Sequence, residues 1–502
     1  MNANLYSLFE SHFSAAAEEP CLLVPNGPVV HYDDLAVLSA RLAHALIRAG
    51  CRPGDRVAVQ VDKHWQVLAL YLACLRAGLV YLPLNIGYQK SELAYFFGDA
   101  EPRVIVCRPE SLGVIATLAG AATVLTLDAN GGEVLDRAKD EPDTFASVTS
   151  KPDDLAAIVY TSGTTGRSKG AMLTHRNLAS NALALVDAWG FTRGDVLLHA
   201  LPVYHVHGLF VATHCTLLAA ARMIWLPKFD AATVIDCLPR ATVMMGVPTF
   251  YTRLVAEPAF TRDACRSVRL FISGSAPLMP ETFDAFRART GHAILERYGM
   301  TETGMITSNP LMGARVGGTV GKPLPGVSVR IVDADGAACA DGTIGSVEVK
   351  GPNVFSGYWR MPDKTRAEFT PDGYFRTGDV GSWTADGEGR GYLRLSGRAK
   401  DLIITGGLNV YPLEIEERID ALPGVVESAV IGLPDPDFGE SVTAVVVLQS
   451  GQTLTERAII GALKEEIAAF KVPKRVYFAA ELPRNAMGKV QKNVLRKNYA
   501  AP

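Results

Sequence analysis

Short runs of β-branched and apolar residues alternate with longer amphipathic stretches through the first two-thirds of the chain. RVAVQV at 56–61, VIVC at 104–107, AAIVYTSG at 156–163 and LFISGS at 270–275 read as strands, and a helical period runs over 64–76. That alternation predicts an α/β fold whose sheets are largely parallel and flanked by helices. From about residue 317 the texture changes. GVSVRIVDADG, GSVEVKG and GYFRTGD are short strands punctuated by Gly, Asp and Pro, which predict a small β-rich subdomain over about 317–396. A third unit follows GRAKD at 397–401, with a helix over 412–422, strands over 429–433 and 442–448, a helix over 453–470 and a strand near Val476. The expected organisation is a large N-terminal domain over 1–396 and a small α+β C-terminal domain over 397–502, joined near Lys400.

The most apolar stretches, 67–84 and 209–226, are broken by Arg76 and by His214 and Arg222. They fall short of the roughly 18 uninterrupted apolar residues a span needs, so they read as core and no membrane association is expected. A net charge of −3 supplies no broad positive field, so nucleic acid is not an expected partner. The N-terminal segment MNANLYSLFESHFSAAAEEP has no basic run ahead of an apolar stretch, which predicts a cytoplasmic location. The eight cysteines show no paired C-x-x-C spacing, so neither a disulfide framework nor a zinc site is expected.

Chemistry enters at TSGTTGRSKG, 161–170, between an apolar strand and a helix expected from His175 onward. Strand, glycine loop and helix form an arrangement suited to phosphate. Gly163, Gly166 and Gly170 let the backbone approach oxygen atoms, while Thr161, Ser162, Thr164, Thr165 and Lys169 supply hydroxyls and charge. A flexible Gly/Ser/Thr linker would match the composition but not the embedded lysine. The loop is not a Walker A motif, because Lys169 is followed by glycine.

With YGMTE at 298–302, TGD at 377–379, GRAKD at 397–401 and PRNAMGK at 483–489, the chain resembles the adenylate-forming superfamily of acyl-CoA synthetases, adenylation domains and firefly luciferase. The resemblance covers essentially the whole length. It implies that ATP and Mg²⁺ are used, with coenzyme A as co-substrate and an acyl-adenylate as intermediate. It would set Tyr298 and Gly299 against adenine, Thr301 near the α-phosphate, Glu302 and Thr161 on the metal, and Asp379 and Arg398 on the ribose. Gly274, Ser275 and Ala276 of GSAPL would line the adenine and acyl pockets. Lys489 would be the lysine brought onto the acyl and phosphate oxygens, and Lys400 the hinge of a mobile C-terminal domain.

For the acid, the resemblance implies PVYHVHG at 202–208, GVPTFYTRL at 246–254 and the residues around Met305. These segments look most like those of malonyl-CoA synthetases, which implies formation of malonyl-CoA from malonate. Arg253 could pair with a second carboxylate, or point to solvent from a helix. His205 matches the position beside the acyl carboxylate and His207 lies near it, although a buried, satisfied histidine explains either. Met305-Ile306-Thr307 stands where malonyl-specific relatives read Met-Asn-Thr; an isoleucine facing the acid would favour methylmalonate or another short acid. A further alternative is an adenylation enzyme that loads a carrier protein. Oligomeric state is not legible.

Overall fold

The computed structural model describes residues 2–161, 168–385, 391–405, 408–435, 438–467, 469–485 and 488–500. Two large sheets build the N-terminal part. One runs Gly357–Tyr358, Lys169–Thr174, Leu155–Thr161, Val80–Pro83, Arg56–Gln60, Val104–Cys107 and Thr123–Thr126, parallel from Leu155–Thr161 onward. The other has a parallel core of Leu295–Met300, Leu270–Ser273, Val243–Gly246, Val196–His199, Arg222–Trp225 and Pro20–Leu23, with antiparallel strands at its edges. One apolar cluster joins the inner faces of both sheets through the helices Leu5–Ala15, Trp65–Arg76 and His175–Ala188. Ten consecutive residues of Trp65–Arg76, from Val67, are buried, as expected for a helix held between two sheets.

The stretches 67–84 and 209–226 are therefore core, and among the described residues no helix is long and apolar enough to cross a membrane. Arg76 is buried without an acid: its guanidinium donates to the carbonyls of Ala36 and Phe145, each at 2.8 Å. The β-rich subdomain is a four-stranded antiparallel sheet of Ser328–Val332, Gly345–Lys350, Phe375–Trp383 and Leu393–Arg398. The C-terminal unit has its own core beneath the hairpin of Val425–Asp435 and Gly439–Leu448, whose strands are longer than the sequence pattern predicts. It also contains a helix, Lys492–Tyr499, that the pattern did not predict.

The helix expected from His175 onward begins there, with an unforeseen strand ahead of it. The glycine loop does not feed a helix directly: Lys169–Thr174 is a strand that returns antiparallel to Leu155–Thr161, with Thr161 opposite Lys169. The helix His175–Ala188 begins directly after the second of these strands, capped by Thr174, so Lys169 stands on a strand and not at a helix N-terminus.

A second hairpin, Leu295–Met300 turning into Gly304–Ser308, carries YGMTE. Asn181 grips its backbone from the neighbouring helix, donating to Met305 O at 2.8 Å and accepting from Met305 N at 3.0 Å. Asn181→Ala leaves a buried N–H without its acceptor, so denaturant unfolding should show a loss of about 2 kcal/mol. An unchanged midpoint would mean that the hairpin is held from elsewhere.

Candidate active site

Thr161 ends its strand half-buried, with Oγ1 3.5 Å from Lys169 O. Ser162, Gly163, Thr164, Thr165 and Gly166 lie outside the described residues. Lys169 is buried, and its Nζ sits 3.6 Å from Glu368 Oε1 and 4.7 Å from the centroid of the Tyr358 ring. Gly170 accommodates Trp359 and Ile158, which a Cβ would meet at 3.3 and 2.9 Å.

The YGMTE hairpin faces the β-rich subdomain. Tyr298 donates its phenol to Asp379 Oδ2 in a short hydrogen bond, and Asp379 Oδ1 pairs with Arg398 Nε at 2.8 Å. Asp379 and Arg398 stand opposite one another on adjacent strands, though 19 positions separate them in the chain. Burial, and then the Asp379 carboxylate, push the Tyr298 phenol well above its ordinary pKa, so it remains a donor.

Glu302 is buried at the hairpin tip, with Oε1 accepting from Tyr358 Oη at 3.0 Å. Burial raises its pKa, and the Tyr358 hydroxyl and the charges of Arg398 and Lys169 pull it back. Among the described residues no three His, Cys, Asp or Glu side chains gather around a possible metal. The single buried carboxylate of Glu302, with the charge of Lys169 acting on it, nevertheless fits Mg²⁺, which commonly takes only one or two protein carboxylates. Thr301 lines a small cavity with Asn177, Asn181 and Asn353 behind the same tip.

The C-terminal domain reaches this cleft. Lys489 keeps solvent contact, yet the crowding of the surrounding protein and the charge of Arg398 lower its pKa to about 8; Asp379, Lys400 and Asp401 act on it more weakly. Its turn is set by Asn485 Oδ1, which accepts the Lys489 N–H at 3.0 Å. A Cβ at Gly488 would lie 3.8 Å from Thr249 Oγ1, so the turn stands against the start of the helix Pro248–Ala256. Arg253 on that helix is exposed, and its charge lowers the pKa of Arg484 in the C-terminal domain, whose first cause is burial. The structure thus sets Arg253 at the interface between domains.

An enclosed corner beside Ser275 and His207 holds a residue that none of the motifs singles out. Arg297 is 3% exposed, and among the described residues its Nε and Nη2 have no hydrogen-bond partner. A Cβ at Gly274 would fall 2.3 Å from its Cζ, so only glycine there leaves the guanidinium its place. Burial lowers the Arg297 pKa to about 9, so it stays cationic at neutral pH. Ser275 follows Gly274 with a left-handed φ of +73°, a strained value for serine, and its Oγ lies 3.3 Å from His207 Nδ1. His207 is buried with Nε2 unpaired, and its N–H donates to His205 Nδ1 at 3.3 Å. Burial, then Arg297, lowers the pKa of His205 to about 4 and that of His207 well below its ordinary value. This corner can receive an anion on a desolvated guanidinium flanked by neutral imidazoles.

The arginine was visible as a charge inside the apolar strand LERYGM, but its inward face was not. Met305 is buried, closing over Gly299, where a Cβ would meet its Cε at 2.5 Å. Ile306 does not face the acyl side: it packs with Tyr298, Ile331, Val347 and Leu393 beneath the β-rich subdomain. The inference of a wider acid from position 306 therefore loses its basis. Tyr358 and Glu368, in contact with Glu302 and Lys169, were also missed, because strand pairing across nearly two hundred residues brings them there.

Two parallel-cored sheets, the paired strands Leu155–Thr161 and Lys169–Thr174, and the Asp379–Arg398 pair beside a small C-terminal unit form the scaffold of an adenylate-forming enzyme. Residues 10–359 match the AMP-binding enzyme family and 414–489 the AMP-binding enzyme C-terminal domain, so the chain belongs to the AMP-binding enzymes. A mitochondrial malonate–CoA ligase of Mus musculus is 37% identical over 93% of this chain and 86% of its own. A feruloyl-CoA synthase of Amycolatopsis sp is also 37% identical, over 94% of this chain and 95% of its own. Among solved structures, MatB from Rhodopseudomonas palustris is 54% identical over 99% of both chains; the TM-score is 0.95 to its ATP-bound form and 0.85 to its apo form.

The histidine environment can be tested without catalysis. In an NMR titration of labelled histidines, His205 should show no protonation between pH 8 and 5.5, because its pKa lies near 4. A midpoint near 6.5, the ordinary value, would place that ring in water instead.

Proposed function

We propose that this protein is an ATP-dependent acid–CoA ligase that makes malonyl-CoA from malonate through malonyl-adenylate, releasing AMP and pyrophosphate. The observation that carries the choice of acid is Arg297, a buried cation with unpaired donors beside His207 and Ser275. A dicarboxylate brings one carboxylate to react and a second to fill that vacancy. The resemblance to a malonate–CoA ligase supports the same reading. The equally similar feruloyl-CoA synthase argues for a different acid, but an aromatic acid would leave the guanidinium uncompensated. Methylmalonate offers the same two carboxylates, and Ile306 gives no reason to prefer it.

In this reading the hydroxyls of the 161–166 loop and Lys169 hold the β- and γ-phosphates. Tyr298, Gly299 and the Gly274–Ala276 turn hold adenine, and Asp379 with Arg398 takes the ribose. Malonate sits with its distal carboxylate on Arg297, assisted by His205 and His207, while Arg253 guards the domain interface. An oxygen of the other carboxylate attacks the α-phosphorus; the bond to the pyrophosphate oxygen breaks as the new P–O bond forms. Lys489 and Thr301 meet the charge on the α-phosphate and acyl oxygens. Glu302 and Thr161 would hold a Mg²⁺ ion, which would supply positive charge against the pyrophosphate as it leaves.

The coenzyme A thiol then attacks the acyl carbonyl, loses its proton and expels AMP. We assign the two stages to two settings of the domain 397–502 about Lys400, with 1–396 fixed. The higher TM-score to ATP-bound than to apo MatB favours the adenylate-forming setting for the present conformation. Free cysteines throughout, seven of the eight buried, suit the reducing cytoplasm, where ATP and coenzyme A are both supplied.

Purified protein with malonate, ATP, Mg²⁺ and coenzyme A should release AMP and malonyl-CoA, and Lys489→Ala should slow malonate-dependent pyrophosphate exchange by about a hundredfold or more. No AMP release with any short acid would reject the function. The ammonium form of Lys489 is the acting one, so kcat/KM for ATP should fall as pH rises through about 8. Lys489→Arg, always charged, should flatten that limb. Arg297→Met should raise KM for malonate about a hundredfold and spare acetate; an intact preference for malonate would refute the pocket assignment.

A further inference from the structure

Three observations converge on Tyr358, which the reaction outlined above does not use. Its hydroxyl donates to Glu302 Oε1 at 3.0 Å, with both side chains buried. Its ring lies under the ammonium of Lys169, 4.7 Å from Nζ to centroid. The backbone leaves it little choice: Tyr358 pairs with Ala171 on the strand that begins at Lys169, and its N–H donates to Thr365 Oγ1 at 2.9 Å. Glu302 is pinned in turn, its carbonyl accepting from Phe355 N at 2.7 Å.

The geometry points to Tyr358 as a positioning residue that holds the Glu302 carboxylate and the Lys169 ammonium in register for a metal-bound polyphosphate. This rests on the reading of Glu302 as the metal carboxylate and Lys169 as the phosphate lysine. A carboxylate on a short side chain can rotate, and a cation held by one carboxylate loses affinity with every misoriented rotamer. The phenol fixes the carboxylate plane through one oxygen, as partners of metal ligands commonly do. Its ring face gives Lys169 a resting place of the right polarity. Glu368 completes the device: it sits 3.6 Å from Lys169 but 2.7 Å from Lys364. When phosphate draws Lys169 away, Glu368 keeps a partner, so the lysine changes hands without stranding a charge.

A merely structural account would say that a buried phenol needs an acceptor and Glu302 happens to provide one. The two accounts part in ATP binding measured by calorimetry on the full chain, with and without Mg²⁺. Tyr358→Phe keeps the ring and loses the donor, so it should remove about tenfold of the affinity that Mg²⁺ adds and leave metal-free ATP binding near the parent value. Tyr358→Leu should lose the ring as well and weaken metal-free binding about threefold. In a Glu302→Gln background, Tyr358→Phe should change nothing further.

The inference is overturned if Tyr358→Phe keeps the parent's gain from Mg²⁺, if it weakens ATP equally with and without the metal, or if its effect persists beside Glu302→Gln. A parent protein that binds ATP with no gain from Mg²⁺ would defeat the reading of Glu302 first, and this inference with it.

Discussion

A guanidinium sealed from water without a counter-ion is a burden of several kcal/mol on any fold, and Arg297 is such a group among the described residues. The strand Leu295–Met300 points Arg297 opposite to Tyr298, into the protein. Gly274 yields the space, and Ser275 takes a left-handed conformation beside it. The cation in turn keeps its neighbours neutral, since His205 and His207 are lowered by burial first and by Arg297 next. Neutral rings can each donate and accept, so they add hydrogen-bonding specificity without repelling the arginine. An anion entering this corner would meet a field little screened by solvent, which is the physical basis of the proposed recognition of a second carboxylate.

Around Lys169 the charges are mixed, with one ammonium set among the carboxylates of Glu302, Glu368 and Asp379. The groups here come from elements that meet only in the folded chain: Lys169 from one hairpin, Glu302 from another, Tyr358 from an edge strand and Asp379 from the β-rich subdomain. No two of these elements form a site alone. The asparagines Asn177, Asn181 and Asn353 spend their amides on backbone carbonyls around 303–305 and 352–354, which welds the Glu302 hairpin to the helix behind the phosphate hairpin.

The parts legible in sequence were those whose meaning is local. Val104–Cys107 and Leu270–Ser273 are fully buried strands and read as unbroken apolar runs. What depended on pairing was not legible. KGAMLT has no alternation that distinguishes an edge-protected strand from a lead-in to a helix, so the hairpin was missed. Ile306 was referred to the acid because it follows the motif. A register shift between Tyr298 and Gly299 changes which face each residue presents, and its side chain enters the other core. Arg253 and Arg297 show the same limit from two sides. One arginine on a helix was noticed and proves exposed; the other, inside a strand, was passed over and proves buried.

The proposed rotation near Lys400 would fall between two anchored segments. Arg398 ends the last strand of the subdomain, bound to Asp379 and to the carbonyl of Thr377 at 3.0 Å, so it belongs to the fixed part. Three residues on, Asp401 is tied to Arg496 at 2.9 Å, on the final helix of the C-terminal domain. Between these two anchors lie only Ala399 and Lys400, where a change of backbone dihedrals would cost no ion pair on either side. Such a turn would leave the ribose pair standing and carry Lys489 away from Arg398. With that charge and the crowding of the cleft removed, the ammonium would regain its ordinary basicity. The same motion would withdraw the Gly488 turn from Thr249, opening the mouth of the acyl side to a thiol after the adenylate has formed.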